Sequence, residues 1–383
     1  MNETNEIYFI VSNYFNVVES GVQDNYVEYV VLSSKYEVEV AFNKLYDELI
    51  EREYYPLIYE VNGVKVIKIF NLGAGRIRKP SLQYLPLALF IATLASTILT
   101  GYFIVSDYIN RLYVMIKVPI GNWGIYYETS LFTICVLIPL LAHEFGHWFV
   151  AKRYRVPTSY PLLIPAPLVS PLGTFGAIVE MRFFPKNLIG LMMLGISGPL
   201  LGFITSYALF VINYLLSPRI PLDIAQMALS EGIAEPLGIA PLSALLTMSA
   251  FNNSLNEKYV VFISPAAFAS LIMLIIHFMN LLPIGQLDGG HIIRSITSIK
   301  MHSAISHITA LTVIILSLIY FLRLNVNILW MAFFALIALL LTGLRPHIGA
   351  ANMLSNYVPK NIKAIVLIIY IILLILTVPI PSL

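Results

Sequence analysis

Cys135 is the chain's one cysteine, so an internal disulfide is excluded, and a lone thiol inside an apolar helical run reads as a small core hydrophobe. Charge is scarce as well. Only 11% of the residues are charged and the formal net charge is +2; with no basic block and no interleaving of basic and aromatic residues, no nucleic-acid partner is expected. Residues 1–8 hold Glu3 and Glu6 and no basic stretch, so they do not read as a cleavable signal peptide. What the chain has in quantity is apolar length. It is 58% hydrophobic with a mean hydropathy of +0.81, which points to a membrane protein with many spans and excludes a large soluble domain beyond about residue 83.

The polar part comes first. Residues 7–18 open with an apolar-periodic run, Tyr26 to Leu32 reads as a strand, and Glu37 to Glu51 places Val38, Val40, Phe42, Leu45, Leu49 and Ile50 periodically. Tyr54 to Val61 and Val64 to Phe70 read as strands joined by Asn62-Gly63, the strongest short hairpin signal. Together they predict a small α/β domain over residues 1–75, outside the membrane, with binding, regulation or a folding anchor as its open roles. Residues 76–84 form a basic linker (Arg76, Arg78, Lys79). Spans are predicted at 85–107, 129–152, 188–216, 260–282, 304–322, 327–344 and 364–380, each long enough or nearly so for about 30 Å of hydrocarbon.

Charge bias orients these seven spans. Lys152, Arg153, Arg155, Arg182, Lys186, Arg294, Lys300, Arg345, Lys360 and Lys363 fall on the side of the linker, against Arg111, Lys117, Arg219, Lys258 and Arg323 on the other. The N-terminus is therefore predicted to be cytoplasmic. That assignment requires residues 153–187 to enter and leave on one side. This segment is apolar yet broken by Pro157, Pro161, Pro165, Pro167, Pro171 and Pro185, which suits extended, re-entrant chain lining a wet cavity, or else an interfacial loop. The loop 217–258, with Asp223, Glu231, Glu235 and Glu257, reads as an external cap.

Chemistry concentrates at His143-Glu144-Phe145-Gly146-His147, within the second predicted span. On a helix the two histidines lie about 400° apart in rotation and about 6 Å apart in rise, so both imidazoles face one way as a metal-ligand pair. Glu144 adjoins the first of them, where a carboxylate can take a proton from water activated by the metal. Ionisable groups at bilayer depth each cost about 2.5 to 3.5 kcal/mol, so such a cluster needs a partner, and a metal supplies one. A second constellation closes the fourth span: Asn280-Leu-Leu-Pro283-Ile-Gly285-Gln-Leu287-Asp288-Gly289-Gly290. Its prolines and glycines predict irregular backbone, from which Asp288 can turn inward as an oxygen ligand, leaving a fourth position open as in catalytic zinc sites. His277 and His291 are spare ligand candidates, with core packing or a turn hydrogen bond as their plainer roles. Ser197-Gly198-Pro199-Leu200-Leu201-Gly202 in the third span reads as a packing kink.

Taken in order, HEFGH, GTFGA (173–177), SGPLLG (197–202) and NLLPIGQLDGG (280–290) resemble the site-2 protease family of intramembrane zinc metalloproteases. The resemblance covers residues 85–300 as a metalloprotease core, followed by C-terminal transmembrane helices over 301–383. It implies a polytopic α-helical membrane protein that cleaves transmembrane protein substrates within the lipid bilayer and holds one Zn²⁺ per chain. His143, His147 and Asp288 match the zinc ligands, Glu144 the catalytic acid/base and Asn280 a polar residue near the attacking water or the substrate carbonyl. Gly173, Thr174, Phe175, Gly176 and Ala177 match the chain that holds the substrate. Gly202 departs from the pattern, since many relatives carry asparagine there. An ion or metal transporter with an intramembrane His/Asp site, and a catalytically inactive membrane-binding relative, are the alternatives; no internal repeat of the transporter kind is seen, and the intact Glu144 with all three ligands weighs against inactivity.

Overall fold

The computed structural model describes residues 3–23, 26–71, 84–117, 119, 121–179, 181–252, 258–324, 328–343, 347–355 and 357–381. The basic linker up to residue 83, together with Glu180, Glu257 and Arg345, lies outside the described residues.

The polar N-terminal region runs α1 (Glu3–Tyr14), β1 (Phe15–Gln23), β2 (Tyr26–Ser34), α2 (Val38–Ile50), β3 (Tyr54–Val61) and β4 (Val64–Asn71). Its sheet has the order β1-β2-β4-β3, antiparallel throughout. Asn62 (φ 52°) and Gly63 (φ 81°) both take positive φ at the β3–β4 turn, as a two-residue hairpin of matching twist requires. On α2, Ala41, Phe42, Leu45, Tyr46 and Leu49 are buried, a stripe at helical spacing that packs on Tyr29, Ile58 and Ile67 of the sheet. The opening run, periodic through residue 18 in sequence, changes to strand at Phe15. Val17 and Val18 are β-branched and suit a strand better than a helix; Val17 pairs with Val31 of β2, and Val18 falls in a bulge before Glu19 pairs with Val30.

This region is fastened to the apolar part by main chain and charge. Ile58 N–H donates to Ala351 (3.0 Å) and Met353 N–H to Ile58 (3.0 Å), extending the β3 edge. Lys186 pairs with Asp47 (2.9 Å) and Arg155 with Glu51 (2.7 Å). The Tyr46 hydroxyl donates to the Phe184 carbonyl (2.9 Å); burial, then the neighbouring Asp47, pushes this phenol far above its ordinary pKa, so it stays a donor. Phe183 enters the same core as α2. The α/β region therefore grips the chain immediately before the third apolar helix.

The apolar part comprises α3 (Leu85–Ile116), α4 (Asn122–Arg153), a hairpin of β5 (Leu162–Pro165) and β6 (Thr174–Ile178), and α5 (Leu188–Leu216). The loop 217–258, expected as a cap, carries β7 (Arg219–Pro221), α6 (Leu222–Ser230), β8 (Ile239–Pro241) and α7 (Leu242–Asn252), and β9 (Tyr259–Val261) follows it. Then come α8 (Pro265–Leu281), α9 (Asp288–Ile296), α10 (Ile299–Leu324), α11 (Leu329–Ala338) with a π-helical continuation to Gly343, α12 (Lys360–Thr377) and β10 (Pro379–Pro381). Among the described residues five helices, α3, α4, α5, α10 and α12, are long and apolar enough to cross a membrane. This is a polytopic helical membrane protein. The expected spans at 260–282 and 327–344 emerge as shorter apolar helices. At one end of α8, Ser264 accepts the N–H of Ala267 and starts the helix; its other end falls at Leu281, before Pro283.

Packing is layered around α5. Helices α4, α5 and α8 contact one another pairwise, and α9 backs onto α5. By contrast α10 turns Ile308, Leu311, Ile315, Leu318 and Leu322 outward, a surface suited to lipid and not to water.

Candidate metal centre

Close helix approach builds the site. A Cβ at Gly146 of α4 would overlap the Ser197 carbonyl of α5, one at Gly198 would overlap the His147 ring, and one at Gly195 would meet the Asp288 carbonyl at 2.7 Å. The glycines of the third apolar helix thus make room for site residues, and the helix runs through Pro199 without interruption. The motif read as a packing kink is the wall against which His147 rests, and Gly195, just ahead of it, is where Asp288 rests.

Asp288 arrives by a turn. Helix α8 ends at Leu281, whose carbonyl accepts the Tyr370 hydroxyl (2.8 Å), and residues 282–287 fold back through Gly285 at φ 52°. Sequence patterning predicts irregular backbone at Asp288, but the residue opens α9. Gly289 and Gly290 do not end a helix. They let α9 begin hard against the α8 terminus, since a Cβ at either would overlap the carbonyls of Leu281 or Gly285.

His143 and His147 of α4 and Asp288 of α9 come together. His143 Nε2 lies 3.0 Å from His147 Nε2, 3.3 Å from Asp288 Oδ2, and His147 Nε2 lies 3.3 Å from Asp288 Oδ1. Ligand atoms about 2.0–2.1 Å from a tetrahedral zinc are separated by about 3.3 Å, so the three donors fit such an ion. Their protonation fits as well. His147 Nδ1 faces the Leu194 carbonyl at 3.0 Å; a carbonyl can only accept, so Nδ1 carries the proton, and in the neutral ring Nε2 presents its lone pair to the cluster. These three are the residues that form a metal-ligand group among the described residues. Glu144 is buried beside them and within electrostatic reach of both histidines and Asp288.

The other residues singled out in sequence divide. His277 lies against the site, but with its ring face: it stacks on His143 at 5.2 Å between centroids and 7° between planes. His291 turns away and meets His347 at 2.7 Å. Asn280 is half-buried in the last turn of α8, one turn beyond His277. The stretch 173–177 forms the end of the β5–β6 hairpin, with Leu163 opposite Ala177. Helix α3 mounts it: Ser96 Oγ donates to the Gly173 carbonyl (2.5 Å) and Thr100 Oγ1 accepts the Leu168 N–H (3.1 Å). Gly173 has φ +72°, and a Cβ there would meet Thr97 Cα at 2.7 Å. Sequence reasoning missed the Leu194 carbonyl and the Ser96/Thr100 mount. The second had a signal in Thr93, Ser96, Thr97 and Thr100, a polar stripe at helical spacing inside an apolar span.

A family model described as Peptidase family M50 matches residues 131–322, half of the chain. The sequence is 26% identical over 165 residues to a probable chloroplastic zinc metalloprotease of Oryza sativa subsp. indica, covering 43% of this chain and 28% of that protein. It is 29% identical over 163 residues to a probable chloroplastic zinc metalloprotease of Arabidopsis thaliana, covering 42% and 28%. A zinc metalloprotease of Methanocaldococcus jannaschii is 26% identical over 193 residues, covering 50% and 41%. The match thus spans less than half the length of each of these relatives. Among solved structures, the site-2 protease from Methanocaldococcus jannaschii aligns with a TM-score of 0.32 and 22% identity, over 63% of this chain and 88% of that chain.

Proposed function

The chain belongs to peptidase family M50, and on that premise we propose that it is a zinc endopeptidase that hydrolyses a peptide bond in the transmembrane segment of a membrane-protein substrate. The observation that carries the reading is the convergence of His143, His147 and Asp288 at 3.0–3.3 Å on buried, apolar helices. These side chains would hold one Zn²⁺, which would supply a lowered pKa for its bound water, toward about 7, and polarisation of the scissile carbonyl. Glu144 accepts the proton of the attacking water on its carboxylate and returns it to the leaving amine. Leu194 keeps His147 in the tautomer that binds. Asn280, one turn beyond His277 on α8, is assigned to orienting the water or the carbonyl.

A transmembrane substrate is helical, with its carbonyls bonded inward, so the scissile stretch must be extended before water can reach it. In lipid each freed peptide group costs several kcal/mol unless a protein edge pairs with it. Strand β6 supplies that edge: β5–β6 is two-stranded, and Phe175 and Ile178 are exposed. We assign residues 173–177 to substrate holding by strand addition, with 153–187 as the re-entrant segment. The finer topology is seven crossings, α8 and α11 being the short ones, with the N-terminus and the α/β region on the cytoplasmic side.

Two outcomes test this. Asp288→Ala should lose both stoichiometric zinc and cleavage of a single-span substrate in proteoliposomes, and chelation of the parent protein followed by added Zn²⁺ should abolish and then restore cleavage. Full zinc content in Asp288→Ala would move the ligand role elsewhere. Ala177→Pro should keep zinc and lose cleavage, whereas glycine or proline placed near the substrate's cleavage point should speed it. Turnover indifferent to both changes would return substrate holding to another part of the chain.

A further inference from the structure

Two residues that the proposed chemistry leaves unused, Gly202 and His277, meet beside His143. His277 is 1% exposed. The Ser206 hydroxyl donates to the Gly202 carbonyl (2.7 Å), so its oxygen is left to accept, and what it accepts is the Nε2–H of His277 (3.1 Å). That bond sets the tautomer of His277 and fixes its ring plane. A Cβ at residue 202 would overlap three atoms of the same ring. The imidazole therefore stands in the space that a side chain at 202 would fill.

The two histidines of the metal cluster are held differently. His147 is anchored through Nδ1 by the Leu194 carbonyl. His143 Nδ1 has no hydrogen-bond partner among the described residues, although a metal-ligating histidine ordinarily needs its second nitrogen fixed for its ring to be oriented. What restrains His143 is the parallel ring of His277, at 5.2 Å and 7°. Rotation of His143 about its Cβ–Cγ bond would drive the ring edge into that face. His277 is not among the residues whose ligand atoms converge on the cluster; it offers His143 its face and spends Nε2 on Ser206.

We propose that His277 is a positioning residue for His143, oriented by Ser206 and admitted by Gly202, so that residues 202 and 277 form one exchangeable unit. The proposal rests on the reading of His143, His147 and Asp288 as a metal site. It concerns how the first ligand is aimed, and the substrate does not enter it.

The test measures metal and does not need a substrate. Full-length protein in detergent is titrated with Zn²⁺ against a chromophoric chelator, and its Co²⁺ form is read by visible absorption. His277→Ala and Ser206→Ala should each weaken zinc binding by roughly 10- to 100-fold, the usual effect of losing an outer partner of a ligand. Both should shift the Co²⁺ bands while helix content stays at the parent value. Gly202→Asn alone should also weaken binding, because the amide has no room. Combined with His277→Gly it should recover toward the parent value. Parent affinity and parent Co²⁺ spectrum in Ser206→Ala and His277→Ala would overturn the proposal, as would a double variant no better than Gly202→Asn. Should His277→Ala fail to fold, Ser206→Ala decides, since it removes one buried hydroxyl and no bulk. Absence of zinc binding in the parent protein would instead defeat the metal reading itself, before any variant is made.

Discussion

Glu144→Gln should purify with zinc at about one ion per chain and cleave its substrate at least about 100-fold more slowly than the parent, the lower end of what a positioned general base contributes. The amide matches the carboxylate in shape and volume, so the packing of α4 against α5 has no reason to change. It cannot accept a proton, and that is the one function removed. The three donors His143, His147 and Asp288 are separate side chains, with no need of Glu144 to hold their mutual distances of 3.0–3.3 Å. Metal content measured by atomic emission, together with single-turnover cleavage in proteoliposomes, separates the two effects. A variant that cleaves at the parent rate would remove Glu144 from the mechanism. The same variant should retain bound substrate and so serve to capture membrane-protein substrates from native membranes.

The parts of this site that sequence disclosed are those governed by local rules. His143 and His147 share a helix face because of the 3.6-residue period alone, and the surrounding apolar run made that helix secure. Asn62-Gly63 marked its hairpin because few other pairs take positive φ twice. Prolines between 157 and 185 made a poor helix and suited extended chain, and the chain there forms β5 and β6. What sequence left open depends on contacts between distant segments. Nothing local states that Gly198 and Gly202 face imidazoles, that Leu194 offers its carbonyl to His147, or that Ser206 reaches His277. Each follows from how α5 lies against α4 and α8. The strand at Phe15 was hidden for a related reason: its apolar residues fit a helical period as well as a strand, and the choice is made by pairing with β2. Likewise Asp288 opens a helix because Gly289 and Gly290 allow α9 to sit under α8, a use of glycine that looks in sequence like a turn. The grip of the α/β region on residues 183–186 and 351–353 joins stretches more than a hundred residues apart, and no pattern in either stretch announces the other.

That dependence on helix approach sets up the second large effect, at Gly198. Its Cα faces His147 across the α4–α5 contact, where an added Cβ would fall within the imidazole and overlap Nε2, Cε1 and Cδ2. The obstacle is a ring between two packed helices, so relief must come either from tilting His147 off its Leu194 hydrogen bond or from parting the helices. Overpacking of this kind costs about 1 to 3 kcal/mol, which a protein of this size can absorb without unfolding. The metal cluster cannot absorb it, because either movement withdraws His147 Nε2 from a position 3.0–3.3 Å from its two partners. Gly198→Ala should therefore remain folded and lose zinc affinity by more than about 100-fold, beyond the effect of removing an outer partner, and cleavage should fall with it. Gly238→Ala is the matched control: nothing lies within 4 Å of a Cβ there, so zinc binding should stay at the parent value. Chelator competition on both variants, with thermal melting to establish folding, reads the difference. Parent-like zinc affinity in Gly198→Ala would mean that His147 has freedom this packing denies it, and that the ligand geometry is set by something other than the α4–α5 contact.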